Sequence, residues 1–193
     1  MEYDHPLLYK DLNMNKLKII LINLISIALF VLTAVLVMYY VSVSGLYPQG
    51  SDTMYHIYRG DSLYKAICAG DYYPLINFAW YNGVELMRYW APLCAYTMAG
   101  TQALCGGDMM NGYILFTGLV LFVGALGWIY IGDNEGRPIL GGVLGILWFF
   151  MPNNLYALFG EGNLPRALSM VFLPIFFVVN LLLMLVTLCI LLL

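Results

Sequence analysis

Asp52, His56 and Arg59 stand at i, i+4 and i+7 in the stretch GSDTMYHIYRGDSLYKAICAG (50–70). On a helix these three fall within about 60° of arc, so a carboxylate, an imidazole and a guanidinium share one stripe. Such a stripe can work as a catalytic or anion-binding edge. It can equally be a solvated polar face with an N-terminal Asp cap. A second set lies in PNNLYALFGEGNLPRAL (152–168). Glu161 sits there between two glycines, which predicts non-helical backbone. Asn163 and Pro165 suit the cap and first turn of a following helix, and Arg166 lies close to that helix's N-terminus. The positive partial charge at a helix N-terminus favours a docked anion. Between the two sets runs DYYPLINFAWYNGVELMRYWAPLCAY (71–96). Its dense aromatics, Tyr73 and Trp90 among them, read either as an interfacial belt or as a stacking wall for a sugar or lipid headgroup. Glu85 and Arg88, three apart, are expected to pair.

The elements that must position these groups are apolar. Of 193 residues, 62% are apolar and 10% charged, and the mean hydropathy is +0.82. Soluble domains carry roughly 25% charged residues, so an integral membrane protein is the expected class. With eight Lys+Arg and a net charge of −3, no basic surface is available for nucleic acid. The four cysteines show no metal-binding spacing and demand no disulfide.

The expected fold is all-α and polytopic, with about four transmembrane helices and interfacial helices in a long first extracytoplasmic loop. The boundaries read as a cytoplasmic N-terminus (1–16), span 1 (17–43), the first outside loop (44–111), span 2 (112–131), a cytoplasmic loop (132–137), span 3 (138–152), a second outside loop (153–166) and span 4 (167–193). Span 1 is about 40 Å long at ~1.5 Å per residue, enough to cross a ~30 Å core. It is far longer than the h-region of a signal peptide. Lys10 and Lys16 precede it, Lys18 stands at its start, and the next basic residue is Arg59, which places the N-terminus in the cytoplasm. Pro138 suits a first helical turn. The stretch 91–105 is short for a span and reads as re-entrant or interfacial, which puts both loops on one face. Within 50–70, Ser51 or Asp52 is a good N-cap and Gly70 a good stop. Gly60-Asp61-Ser62 could divide that stretch into two helices, the second capped by Asp61. The chain ends at Leu193 inside an apolar run, so it reads as the N-terminal part of a larger membrane protein.

The order of motifs resembles one family. A short basic N-terminus and one span are followed by G-x-D-x-x-x-H (50–56), G-D-Y-Y-P (70–74), Gly83, Y-W-A-P-L-x-x-Y (89–96) and E-G-N-L-P-R-A-L (161–168). This resembles the start of membrane proteins described as 6-pyruvoyl-tetrahydropterin-synthase-related, which in turn look like C-type (GT-C) glycosyltransferases. The pterin name implies no pterin chemistry, since His5 and His56 are the only histidines. The resemblance implies a membrane-bound polyprenyl-phosphate sugar as donor, an acidic residue early in the first outside loop facing the acceptor, and a further acidic residue in the second. By position Asp52 matches the first and Glu161 approximately the second. Leu75, Ile76, Ala91 and the single Glu161 depart from the family pattern.

The implied chemistry gives Asp52 the part of general base and requires positive charge on the leaving phosphate. Arg59, Arg166 or a divalent metal held by Glu161 and His56 could supply it, although that donor set suits Mg²⁺ or Mn²⁺ poorly. Lipid bilayer and polyprenyl-phosphate sugar are the expected partners, and the plasma membrane the expected location. The alternative is a non-catalytic subunit, scaffold or transporter fragment. The spans hold only Asn23, Asn180 and scattered Ser/Thr, whereas a transporter places ionisable groups at mid-membrane.

Overall fold

A computed structural model describes residues 5–78, 82–85, 87–88, 91–174 and 176, with side chains from 16 onward. Seven α-helices are described: α1 (His5–Ser44), α2 (Thr53–Cys68), α3 (Leu93–Leu104), α4 (Met109–Asn134), α5 (Pro138–Phe149), α6 (Pro152–Leu155) and α7 (Leu164–Met170). A π-helical turn, Tyr156–Gly160, follows α6. No strand occurs among the described residues; an antiparallel bridge between Asn77 and Val84 closes a turn. Among the described residues three stretches are long and apolar enough to cross a membrane: Lys16–Ser44, Met109–Asn134 and Pro138–Gly160. Of the expected fourth span, 167–193, residues 175 and 177–193, Cys189 among them, lie outside the described residues.

The spanning helices pack by removing side chains. A Cβ on Gly132 of α4 would lie 2.6 Å from the Gly141 Cα of α5, and one on Gly145 would collide with the Phe30 ring of α1. Lipid is as apolar as leucine, so helices gain association energy in a bilayer from such close backbone approach. Phe30, Phe116, Leu121 and Phe149 fill the shared core, while Leu24, Leu32 and Leu36 face outward. A polar contact crosses the opposite end of the bundle, where the Asn23 amide donates to Asp133 at 2.6 Å.

At the other end α2 and α3 form a second layer, with α3 also against α4. Twelve residues make α3 about 18 Å long, short of a ~30 Å core. Leu63, Met87, Ala95 and Ala99 form its own small core. Ala69 and Gly70 end α2, Gly70 with φ +90, as its position in the sequence suggests. The expected break at Gly60-Asp61-Ser62 is absent, and α2 runs straight through. The reason is tertiary. A Cβ on Gly60 would lie 2.9 Å from the Met98 Cβ, so this glycine serves the α2–α3 contact. Asp61 does not cap; it pairs with Lys65 at 2.6 Å and accepts from Gln102 at 2.9 Å.

Helix α1 also reaches back to His5, into the stretch read as an N-terminal segment. The apolar run that begins at Pro138 pauses at Phe150–Met151, then continues through α6 and the π turn to Gly160. Glu161 itself closes the π turn with αR backbone (φ −83, ψ −37), its N–H donating to the Tyr156 carbonyl at 2.7 Å, and the chain leaves the helix immediately after it, at Gly162 with φ +73, as the flanking glycines suggest.

Candidate functional site

The start of α2 is fastened to the second loop by main chain. The Asp52 N–H donates to the Glu161 carbonyl at 3.0 Å, and the Ser51 hydroxyl donates to the same oxygen at 3.1 Å. Glycine makes this approach possible. Gly162 has φ +73, a conformation open to glycine at little cost. A Cβ there would collide with the Thr53 hydroxyl and lie 2.7 Å from the Thr53 nitrogen. On the facing segment, a Cβ on Gly50 would lie 2.6 Å from the Gly162 nitrogen. Asp52 and Glu161 thus stand side by side although they come from separate connections. Thr53 was not singled out from the sequence, and the packing role of Gly50 and Gly162 was not read there. The glycines flanking Glu161 were the available signal.

The two carboxylates are used differently. Asp52 precedes the first turn of α2 and makes no side-chain cap bond, so the helix does not consume its oxygens. It is half-buried. Both oxygens of Glu161 are engaged: Arg166 donates to one at 2.7 Å and Asn163 to the other at 3.3 Å. Arg166 also donates to the Asn153 Oδ1 at 2.6 Å. Asn163 caps α7 as its position suggests, accepting from the Arg166 N–H at 3.2 Å. The guanidinium stays on the surface, its side chain 43% exposed.

His56 and Arg59 follow Asp52 down the same stripe, but the stripe turns inward. Each is 1% exposed, so it is not a face turned to water. Burial pushes the His56 imidazole down to about 4; the Arg59 charge acts in the same direction and Asp52 opposes it. The ring is therefore neutral near pH 7. The Arg59 guanidinium lies 5.8 Å from the Tyr55 ring centroid, a cation–π arrangement. Burial lowers its pKa, against smaller upward pulls from Tyr55 and Cys94. On α3, burial raises the Cys94 thiol to about 12, with Arg59 opposing, and a thiol so placed is no nucleophile.

Tyr73 lies beyond the far end of α2. It is half exposed, and its N–H donates to the Asp71 carboxylate at 3.1 Å. The 16 residues of α2 separate it from Asp52 by roughly 25 Å along the axis. Trp90 lies outside the described residues. Glu85 and Arg88 pair at 2.7 Å on the surface. The donor set does not suit a divalent metal: His56 is enclosed, Glu161 is occupied by Arg166 and Asn163, and among the described residues no three His, Cys, Asp or Glu side chains converge.

No curated protein and no solved structure matches the chain. Residues 87–187, just over half of it, match the 6-pyruvoyl-tetrahydropterin synthase related domain, described as a membrane protein. The match includes α3, α4, α5 and the Glu161 loop, while Asp52 precedes it. With three stretches among the described residues long and apolar enough to span, the chain is an integral membrane protein that belongs to the 6-pyruvoyl-tetrahydropterin synthase related family.

Proposed function

We propose that this chain is a membrane-embedded, GT-C-like glycosyltransferase, or the N-terminal module of one, moving a sugar from a polyprenyl phosphate to an acceptor at the extracytoplasmic face. The observation that carries the reading is the bond from the Asp52 N–H to the Glu161 carbonyl, which puts an acidic residue from each outer connection at one place. The lysines before the first span support a cytoplasmic N-terminus, with the plasma membrane as the expected location.

The chemistry follows from the unequal use of the two carboxylates. Asp52 takes the proton from the acceptor hydroxyl. The oxygen so exposed bonds to the anomeric carbon. The bond from that carbon to the phosphate oxygen breaks, and polyprenyl phosphate departs with the electron pair. Arg166, on the surface and held by Glu161 and Asn153, is the nearby cation for the departing charge. Glu161 fixes that guanidinium and, through its carbonyl, the start of α2. His56 and Arg59 support Asp52 from beneath.

Asp52→Asn keeps the backbone bond and the side-chain shape but removes the base. In the full-length protein, transfer from a polyprenyl-phosphate sugar is expected to fall by about 10²–10⁴-fold while membrane insertion stays normal. Unchanged product formation in a correctly inserted variant would rule out Asp52 as the base.

A further inference from the structure

The apolar stretch that begins at Pro138 is interrupted by Pro152-Asn153-Asn154. Proline has no N–H, so Pro152 cannot serve the Trp148 carbonyl four residues back. Two other donors take that oxygen: the Met151 N–H at 3.3 Å and the Asn154 side-chain amide at 2.8 Å. Asn154 is 3% exposed and seals the break from within. The chain restarts as α6, and Asn153 stands on the surface in its first turn.

The neighbouring asparagine is used differently. Asn153 Oδ1 accepts from Arg166 Nη2 at 2.6 Å, and its amide nitrogen lies 3.5 Å from the Met170 sulfur. A guanidinium carries no acceptor, so only this orientation of the amide can bond to it. Glu161 accepts from Arg166 Nη1 at 2.7 Å. Both terminal nitrogens are thus held, by oxygens from two separate elements, and the plane of the guanidinium is fixed. Two of its five N–H groups are spent on this clamp, which leaves three for a ligand. Charge matters as well. Glu161 already balances Arg166, and a second carboxylate would make the clamp negative. An amide oxygen holds the guanidinium and adds no charge.

We infer that Asn153 is a positioning residue, placed by the break at Pro152, that fixes Arg166 together with Glu161 in one orientation toward an anionic ligand. The identity of that anion, the departing phosphate, rests on the sugar-transfer reading; the clamp does not.

In the full-length protein, Asn153→Ala should lower kcat for sugar transfer about tenfold, the effect of one hydrogen bond to a charged group. KM should move less, because the phosphate gains charge toward the transition state. In an Arg166→Ala background the same change should add nothing. A further loss there would mean that Asn153 acts apart from Arg166 and would overturn the inference. A second readout needs no sugar donor. Phenylglyoxal modifies arginine side chains, and its reaction with Arg166 can be followed by mass spectrometry. Asn153→Ala should speed that reaction several-fold, while Asn153→Asp, which keeps an acceptor oxygen, should not. Equal rates for Asn153→Ala and the unaltered protein, or faster reaction of both variants, would overturn the clamp. The two proposals fail separately. Faster modification in Asn153→Ala, with undiminished transfer by Asp52→Asn, would keep the clamp and remove Asp52 as the base.

Discussion

The spanning bundle of α1, α4 and α5 and the outer layer of α2, α3 and the second loop solve the same packing problem in opposite ways. In the bundle, glycines bring backbones together: Gly132 meets Gly141 and Gly145 meets Phe30. Among described groups the polar cross-link there is Asn23 to Asp133. The outer layer encloses Thr53, His56, Arg59 and Gln102, and the Asp52–Glu161 junction holds it to the end of α6 and the π turn. A buried charge is costly unless its surroundings compensate, so a layer built this way is specified by its polar contacts. The bundle tolerates any apolar side chain of suitable size on its lipid face. The difference separates a platform from a site: the first needs small residues at a few points, the second needs particular atoms.

The largest expected effect comes from detaching the layer. Gly162→Ala forces a left-handed backbone onto a β-carbon and drives it into Thr53, at a cost of about 2–4 kcal/mol. Limited proteolysis should then open α2 while α4 stays protected. Equal protection of both would mean that the junction does not hold the layer.

Next comes the enclosed imidazole. With His56 held near 4 in the fold against about 6.5 unfolded, the unfolded chain binds the extra proton first. Stability is therefore full above about pH 6.5 and falls as pH drops toward 4, by on the order of 3 kcal/mol in total. Denaturant unfolding of His56→Gln in micelles should lose most of that slope; an unaltered slope would assign the pH response to other groups.

Gly132→Ala probes the bundle in turn. Its methyl group would press on Gly141, costing about 1–3 kcal/mol, with the melting temperature as readout. The outer layer should keep its protease protection, the reverse of Gly162→Ala. The smallest effect is expected from Arg166→Ala. Its ion pair with Glu161 is partly exposed to water, so the stability change should stay near or below about 1 kcal/mol. Sugar transfer should drop far more than stability does. Parallel losses would make Arg166 structural.

How much of this could be read from the residues depends on which forces were local. The apolar runs around α1, α4 and α5 announce themselves because a bilayer demands about 20 apolar residues per crossing. Pro138, Asn163 and Gly70 mark helix ends for reasons confined to one turn of chain, and all three stand at such ends. The continuity of α2 through Gly60 was not legible, because Met98, the reason for that glycine, comes from another helix. The αR backbone of Glu161 was hidden for a similar cause: the π turn carries the run through Gly160 and stops only at Gly162. Spacing put Asp52, His56 and Arg59 on one stripe. It gave no sign that the stripe faces inward, which depends on α3 lying over it. The bond between Asp52 and Glu161 joins two backbones, and side-chain identity is nearly silent about main-chain pairing at such separation.

The meeting of the two connections can be measured in membranes without any assumption about substrate. In a cysteine-free background, Asp52→Cys and Glu161→Cys should join on mild oxidation, since a backbone bond of 3.0 Å between these residues brings their Cα atoms close to the roughly 4.4–6.8 Å a disulfide requires. Each single cysteine should also react with a membrane-impermeant maleimide added to the same side. No disulfide, together with labelling from opposite sides, would contradict the shared site.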